Sequence, residues 1–307
     1  MKIDGKNILS TWGFVLQEGS YNSLFKYPDR KAVSYADYAE RDGIISDLRK
    51  FETESRKITL NFLSKNNSTA EFRDQYQNFF MAMIAPGYRI VDMENGLIYK
   101  LRYDQTQTIR PFHLFNSGPD AALFSVCFLE DEPAIDENVI TPTGLLPLTG
   151  WYEVDGVDFA NFGVHPNGEI GEVLKYPELK TPFTDSRTYS LETMRLKHKE
   201  IVIPLWMRAE TEAEFVRNYQ AFYNAFAKAG KRLLYIKEID TTTYAYYMGC
   251  TSFTTHWNDK PGAFFNIKLC IPVVTWLSGM TSVYAVLKDS VLGLLADEQG
   301  KILILNK

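Results

Sequence analysis

The chain repeats itself. Sliding the 307-residue sequence by 143 positions sets Glu71, Phe72, Tyr76, Gln77 and Phe79 on Glu214, Phe215, Tyr219, Gln220 and Phe222. The same register pairs Ile58 with Ile201, Gly87 with Gly230, Arg89 with Arg232, Tyr103 with Tyr246, His113 with His256 and Cys127 with Cys270. Without a gap, 14 of the 71 positions between 58–128 and 201–271 are identical. A repeat of this length constrains the fold before any other feature does, because both copies must adopt one topology. The N-terminal parts match at larger offsets, "IDG" at Ile3 with "VDG" at Val154, Gly13 with Gly163, and "KYP" at Lys26 with "KYP" at Lys175. The first copy therefore carries about eight extra residues, mostly between Pro28 and Ile58, which reads as a longer loop.

Each copy can be read locally. "ITLNFL" and "IVIPLW" alternate in the period-2 manner of half-buried strands. Ser68 with Glu71, and Thr211 with Glu214, form capping boxes. Phe72, Tyr76, Phe79, Phe80 and Met83 then recur at helical spacing, as do Phe215, Tyr219, Phe222 and Phe226, with Gly87 and Gly230 as stops. "YRIVDMENGLIYKLRYD" holds an Asn-Gly turn between two β-rich runs, a hairpin, and "RLLYIKEIDTTTYAYYMG" is its counterpart. "AALFSVCFL" and "FFNIKLCIP" close the units. The expected fold is mainly β with α: two repeated sandwich or tube-like domains, each with one amphipathic helix.

The boundaries follow from composition. Residues 1–132 form the first domain, and 133–150 an acidic, then Pro-, Thr- and Gly-rich linker. Residues 151–278 form the second domain, and 279–307 an extension in which Val291 to Leu305 reads as a hairpin around "DEQG".

A composition 45% hydrophobic and 23% charged is that of a globular protein, and 14% aromatic residues favour strands. The net charge of -5 argues against general nucleic-acid binding, which needs a basic excess. Cys127, Cys250 and Cys270 are odd in number and lack CxxC spacing, and the N-terminus has no apolar signal core, so a reducing cytoplasm is expected. The uncharged run from Leu269 to Leu287 is interrupted by Pro272, Gly279 and hydroxyl residues, and reads as a strand end and linker rather than a membrane span.

Chemistry finds little purchase. His113, His256, Cys127 and Cys270 supply two ligands per copy where zinc needs three or four, so no metal, cofactor-binding or catalytic residue is assigned. The run Glu130, Asp131, Glu132, Asp136 and Glu137 lacks the Asp/Asn alternation and central Gly of a calcium loop. "NGEIGEV" does not match the dinucleotide fingerprint, and no phosphate loop, GxSxG or HExxH is present. No enzyme is expected. The tyrosines of "TTTYAYYMG" suit either sugar stacking or cross-strand packing, the second being the ordinary reading.

The order of elements resembles the ring-forming domain of phage distal tail proteins and the tube domains of baseplate hubs. In the first copy the resemblance rests on Asp4 and Gly5, on Arg41, Asp42 and Gly43, on Ile58, Leu60 and Phe62, on the helix Phe72 to Met83, and on Tyr99 to Tyr103. In the second it rests on Asp155 and Gly156, the strand Ile201 to Leu205, the helix Phe215 to Phe226, and Tyr244 to Tyr247; the Arg-Asp-Gly is missing there. It implies a structural virion component of the tail tip, made in the bacterial host cytoplasm. Self-association would give a hexamer or pseudo-hexameric trimer, with the tail tube protein and a baseplate hub or tail fibre protein as partners, and no membrane or specific nucleic-acid binding. The alternative is a two-module carbohydrate-binding or adhesion protein.

Overall fold

A computed structural model describes residues 1–66, 68–112, 120–133, 141–143, 148–168, 171–180, 195–257, 259–274, 295–296 and 302–303. The chain is mainly β with α. The first unit runs β1 (Lys2–Ile3), β2 (Lys6–Asn7), α1 (Ile8–Trp12), β3 (Phe14–Leu16) and α2 (Tyr21–Phe25). It continues through β4 (Tyr35–Ala36), β5 (Ile45–Ser46), β6 (Arg56–Lys65), α3 (Thr69–Ile84), β7 (Arg89–Asp92), β8 (Ile98–Phe112) and β9 (Ala121–Glu130). The second unit runs β10 (Tyr152–Val154), β11 (Val157–Asp158), a 3-10 turn (Phe159–Phe162), β12 (Val164–Pro166) and α4 (Gly171–Leu174). Then come β13 (Leu179–Lys180), β14 (Arg195–Leu196), β15 (Lys199–Arg208), α5 (Glu212–Phe226), β16 (Arg232–Ile236), β17 (Thr241–Thr255) and β18 (Gly262–Ile271).

Both units are seven-stranded antiparallel sheets with the same order, β2-β1-β7-β8-β9-β6-β3 and β11-β10-β16-β17-β18-β15-β12. The long strand in each is kinked at two places: β8 skips Asp104 and Gln107 against β9, and β17 skips Met248 and Thr251 against β18. Bulges increase local twist, and both units place them at matching points of the long strand. Ile58, Leu60 and Phe62 bury one face of β6, as Ile201, Ile203, Leu205 and Met207 do on β15. Phe79 and Phe222 carry the helices into these cores.

The local signals fold as their chemistry dictates. Ser68 Oγ accepts from Glu71 N at 3.2 Å and Thr211 Oγ1 from Glu214 N at 3.2 Å, so both helices begin on the expected caps. Asp4–Gly5 and Asp155–Gly156 all have positive φ, the left-handed pair that a two-residue hairpin turn requires. Asp4 Oδ1 accepts from Ile90 N and Oδ2 from Arg89 Nη1, at 2.8 and 3.2 Å. Asp155 repeats this on Leu233 N and Arg232 Nη1, at 2.9 and 3.2 Å. The other end of each arginine fork closes the preceding helix, Arg89 Nη2 on Ala85 O and Pro86 O, Arg232 Nη2 on Ala229 O. One side chain thus joins the opening turn to the helix C-terminus in both units.

The ungapped register does not hold beyond this hairpin. Arg89 faces Leu101 whereas Arg232 faces Ala245, so the second hairpin is one residue longer. Tyr103, opposite Phe128, therefore matches Tyr247, opposite Leu269, rather than Tyr246. The connection after β8 is then longer than that after β17, and the strands that follow shift the other way. Cys127 faces Thr59 and matches Lys268, which faces Val202, while Cys270 faces Glu200. The paired cysteines of the sequence register are a coincidence of two opposite length changes. His113 lies outside the described residues, so its match to His256 is untested.

The stretch read as a longer loop has structure of its own: β4 pairs with β5, and Arg30 bridges Thr53. Beyond the repeat, Leu295–Ala296 pairs antiparallel with Ile302–Leu303, as the turn between them implied; the rest of the extension lies outside the described residues.

Candidate functional site

The most constructed surface of the molecule is the seam between the two units. The segment of the first unit from Tyr21 to about Lys50 straddles the seam: Leu24 stays in the first core, while Phe25 onward lies across the second unit. Phe25 and Tyr27 are buried in the core of the second unit. The Tyr27 ring stacks between Tyr219 and Tyr223 of α5, with centroids at 4.1 and 4.4 Å, and its hydroxyl donates to Tyr219 O at 2.6 Å. Tyr219 Oη donates back to Phe25 O at 2.7 Å, and Tyr247 Oη to Pro28 O at 3.0 Å. Burial pushes all three of these phenols well above their ordinary pKa, so they remain neutral donors.

Polar anchors continue the seam. Asn22 Oδ1 accepts from Thr255 N and Oγ1, Asp29 Oδ1 from Cys250 N, and Arg30 N donates to Met248 O. The last two contacts fall at the β17 bulge, where the irregular ladder frees backbone groups for an outside strand. The Arg30 guanidinium sits over Phe51 and Tyr246, and its Nη2 donates to Lys50 O.

The Arg41-Asp42-Gly43 loop is held by the second unit. Gly43 N donates to Leu196 O, Leu196 N to Asp42 Oδ1, and Ile44 N to Pro272 O. The buried ammonium of Lys180 closes the loop from below on Asp37 and on the carbonyls of Tyr38, Arg41 and Gly43. A buried cation of this kind is stable only because each proton has an acceptor.

The linker is also tied down at one described point: Asn218 of α5 accepts from Thr143 N at 2.7 Å and donates to Thr143 O. Of the acidic run, Glu130 pairs with Arg56, and Asp131 with Arg102 and Tyr88, so these carboxylates are spent on the fold; Asp136 and Glu137 lie outside the described residues.

The residues weighed for chemistry are scattered. Cys250 and Cys270 are buried and their thiols are pushed up to about 11 by desolvation, and Cys127 is raised for the same reason. A thiol held protonated is the opposite of a nucleophile. His256 lies against Phe264 with ring centroids 6.1 Å apart. No group of three or more His, Cys, Asp or Glu that could hold a metal occurs among the described residues. Tyr246 and Tyr247 are buried, which removes two of the three tyrosines from any sugar platform and leaves Tyr244 exposed beside Lys231. Among the described residues no helix is long and apolar enough to cross a membrane.

Sequence reasoning missed the seam. Its only trace is the surplus length between Pro28 and Ile58 together with a Tyr in each "KYP".

Fold and seam together define a tandem of two like units clasped by a strap. No known protein family matches the chain, and no curated protein matches it. Among solved structures it is similar to the SPP1 Dit (gp 19.1) protein, described as a paradigm of the hub adsorption apparatus in phages infecting Gram-positive bacteria. The identity is 8% and the TM-score 0.30, over 89% of this chain and 98% of that one, too low a score to equate the two folds.

Proposed function

We propose that the chain is a structural component of a phage tail tip, a distal tail protein-like ring element that joins the tail tube to the baseplate or fibres, and that it is not an enzyme. The observation that supports this is the seam. Two units of one topology are joined through different surfaces, the α2 strap of one on the α5 face of the other. A contact between unlike surfaces of like units is heterologous, and repeated it closes a ring or runs on as a filament. Fusing two units halves the chains that a six-unit ring needs. The self-association is a hexamer or a pseudo-hexameric trimer, and the partners are the tube protein and a hub or fibre protein.

The test is co-expression with the neighbouring tube or hub protein, followed by light scattering and electron microscopy. Rings of three or six chains are expected. A strictly monomeric chain that binds no tail component but retains a glycan on an array overturns the reading in favour of adhesion.

A further inference from the structure

The seam leaves one donor and one acceptor over. The structural equivalence of the two KYP turns is fixed by the cation beneath each: Arg56 Nη1 donates to Lys26 O, and Lys199 Nζ, at the matching strand start, donates to Lys175 O. Phe25 and Tyr27 of the first turn, 4% and 5% exposed, fill the second unit. Their counterparts Leu174 and Tyr176 are 57% and 62% exposed and meet no such surface among the described residues.

The receiving face shows the reverse asymmetry. In the second unit Tyr219, Tyr223 and Tyr247 are buried under the strap, and Phe253 stacks on Phe25. Their matches in the first unit are Tyr76, Phe80, Tyr103 and Ile109; the first three are half-exposed and Ile109 is 45% exposed. The faces share one framework, since Tyr76 meets Phe124 edge-on at 5.5 Å as Tyr219 meets Phe265 at 5.5 Å. With no ring between them, Tyr76 and Phe80 lie against each other at 4.6 Å. The Tyr103 hydroxyl, whose match Tyr247 holds Pro28 O, is left on Thr106 Oγ1.

A polar group on α3 is unfilled as well. Asn218 is satisfied by Thr143, but Oε1 of its match Gln75 is buried without a partner among the described residues. Both amide atoms of nearby Asn66 are buried in the same state.

From this we propose that a second copy of the chain supplies the missing contact: Leu174 and Tyr176 of one copy dock on Tyr76, Phe80 and Ile109 of the next, repeating between chains the joint that Phe25 and Tyr27 make within one. The inference deepens the ring reading and rests on it. Donor and acceptor lie on different units of one chain, so the contact is heterologous and, repeated, closes a ring of chains. Tyr176 Oη then donates to Tyr76 O, and Tyr103 Oη turns from Thr106 to Pro177 O.

The experiment uses the full chain. Leu174, Tyr176 and Ile109 are exposed, so Tyr176→Ala and Ile109→Asp are expected to fold with unchanged far-UV circular dichroism and, at dilutions where the unaltered chain is monomeric, unchanged Tm. Their self-association, read by analytical ultracentrifugation, is expected to weaken by about 30-fold or more, the effect of truncating a central aromatic anchor. A Leu174→Cys, Ile109→Cys double variant treated with a short bifunctional thiol reagent is expected to give an inter-chain ladder that neither single variant gives; the three native cysteines are buried. If the unaltered chain assembles, the two variants assemble as tightly and no ladder forms, this docking is wrong and the ring reading stands. Loss of tube or hub binding in Ile109→Asp with self-association intact assigns the face to that partner and also overturns the proposal. A chain that stays monomeric with and without its tail partners removes the ring reading itself, and the docking with it.

Discussion

Tyr27 and Tyr219 exchange hydrogen bonds across the seam: the rings lie flat on each other, 10° from parallel, Tyr27 Oη donates to Tyr219 O and Tyr219 Oη to Phe25 O. The pair welds a strap of the first unit to the helix of the second, and its worth can be separated into ring and hydroxyl. Tyr27→Phe keeps the stacking and loses one bond to a carbonyl, an expected cost of about 1 kcal/mol. Tyr27→Ala opens a cavity between Tyr219 and Tyr223 and is expected to cost about 3–5 kcal/mol. Urea titration of both variants checks the ratio; equal losses would show that the ring contributes nothing.

The duplicated clamp offers an internal control. Double-mutant cycles of Asp4 with Arg89 and of Asp155 with Arg232 are expected to give similar coupling, about 1 kcal/mol each, because the geometry is the same and the carboxylates are partly exposed. A cycle that couples strongly in one unit and not in the other would contradict the shared role.

Gly43 is a point where the strap admits no side chain. Its φ is +68°, and a Cβ there would fall 1.8 Å from Pro272 O and 2.8 Å from Pro272 C. Gly43→Ala is expected to lose more than about 2 kcal/mol, from the left-handed backbone and from the forced parting of strap and second sheet. Hydrogen exchange would localise the change to residues 34–48 and to the ends of β14 and β18; protection equal to that of the unaltered chain would refute it.

Alkaline pH is expected to weaken the core. Cys250 and Cys270 have folded values of about 11 against 9.0 for the free thiol, and the buried phenols of Tyr27, Tyr219 and Tyr247 are raised above 10.0. A raised folded pKa means that the native state holds its proton longer than the unfolded chain. The associated stability is complete below pH 9 and is lost as pH rises toward 11, by roughly 2 kcal/mol for Cys250 alone. Urea midpoints should be flat through neutral pH and fall above about 9, with the thiols silent to a disulfide reagent until unfolding. A midpoint that climbs with alkali would reverse the sign and the argument.

What the sequence disclosed was what is encoded locally. Ser68 and Thr211 act through the backbone within a few residues, so their patterns carry over directly. The register failed at Tyr103 and Cys127 because ladder pairing is set by turn length, and a hairpin one residue longer followed by a shorter connection leaves identical letters on different rungs. The strap was invisible for another reason. Periodicity says which face of an element is buried but not whose sheet buries it, and only the three-dimensional fold shows Phe25 and Tyr27 in a core built mainly from the second unit.

That crossing changes what holds the chain together under load. Pulling the two units apart loads the strap as well as the linker. It shears an array of bonds laid side by side, from Asn22 on Thr255 to Gly43 on Leu196 and the Lys180 ammonium beneath them. Bonds loaded in parallel break together, so a chain cleaved in the linker is expected to stay clasped as a nicked body that carries tension along the strap.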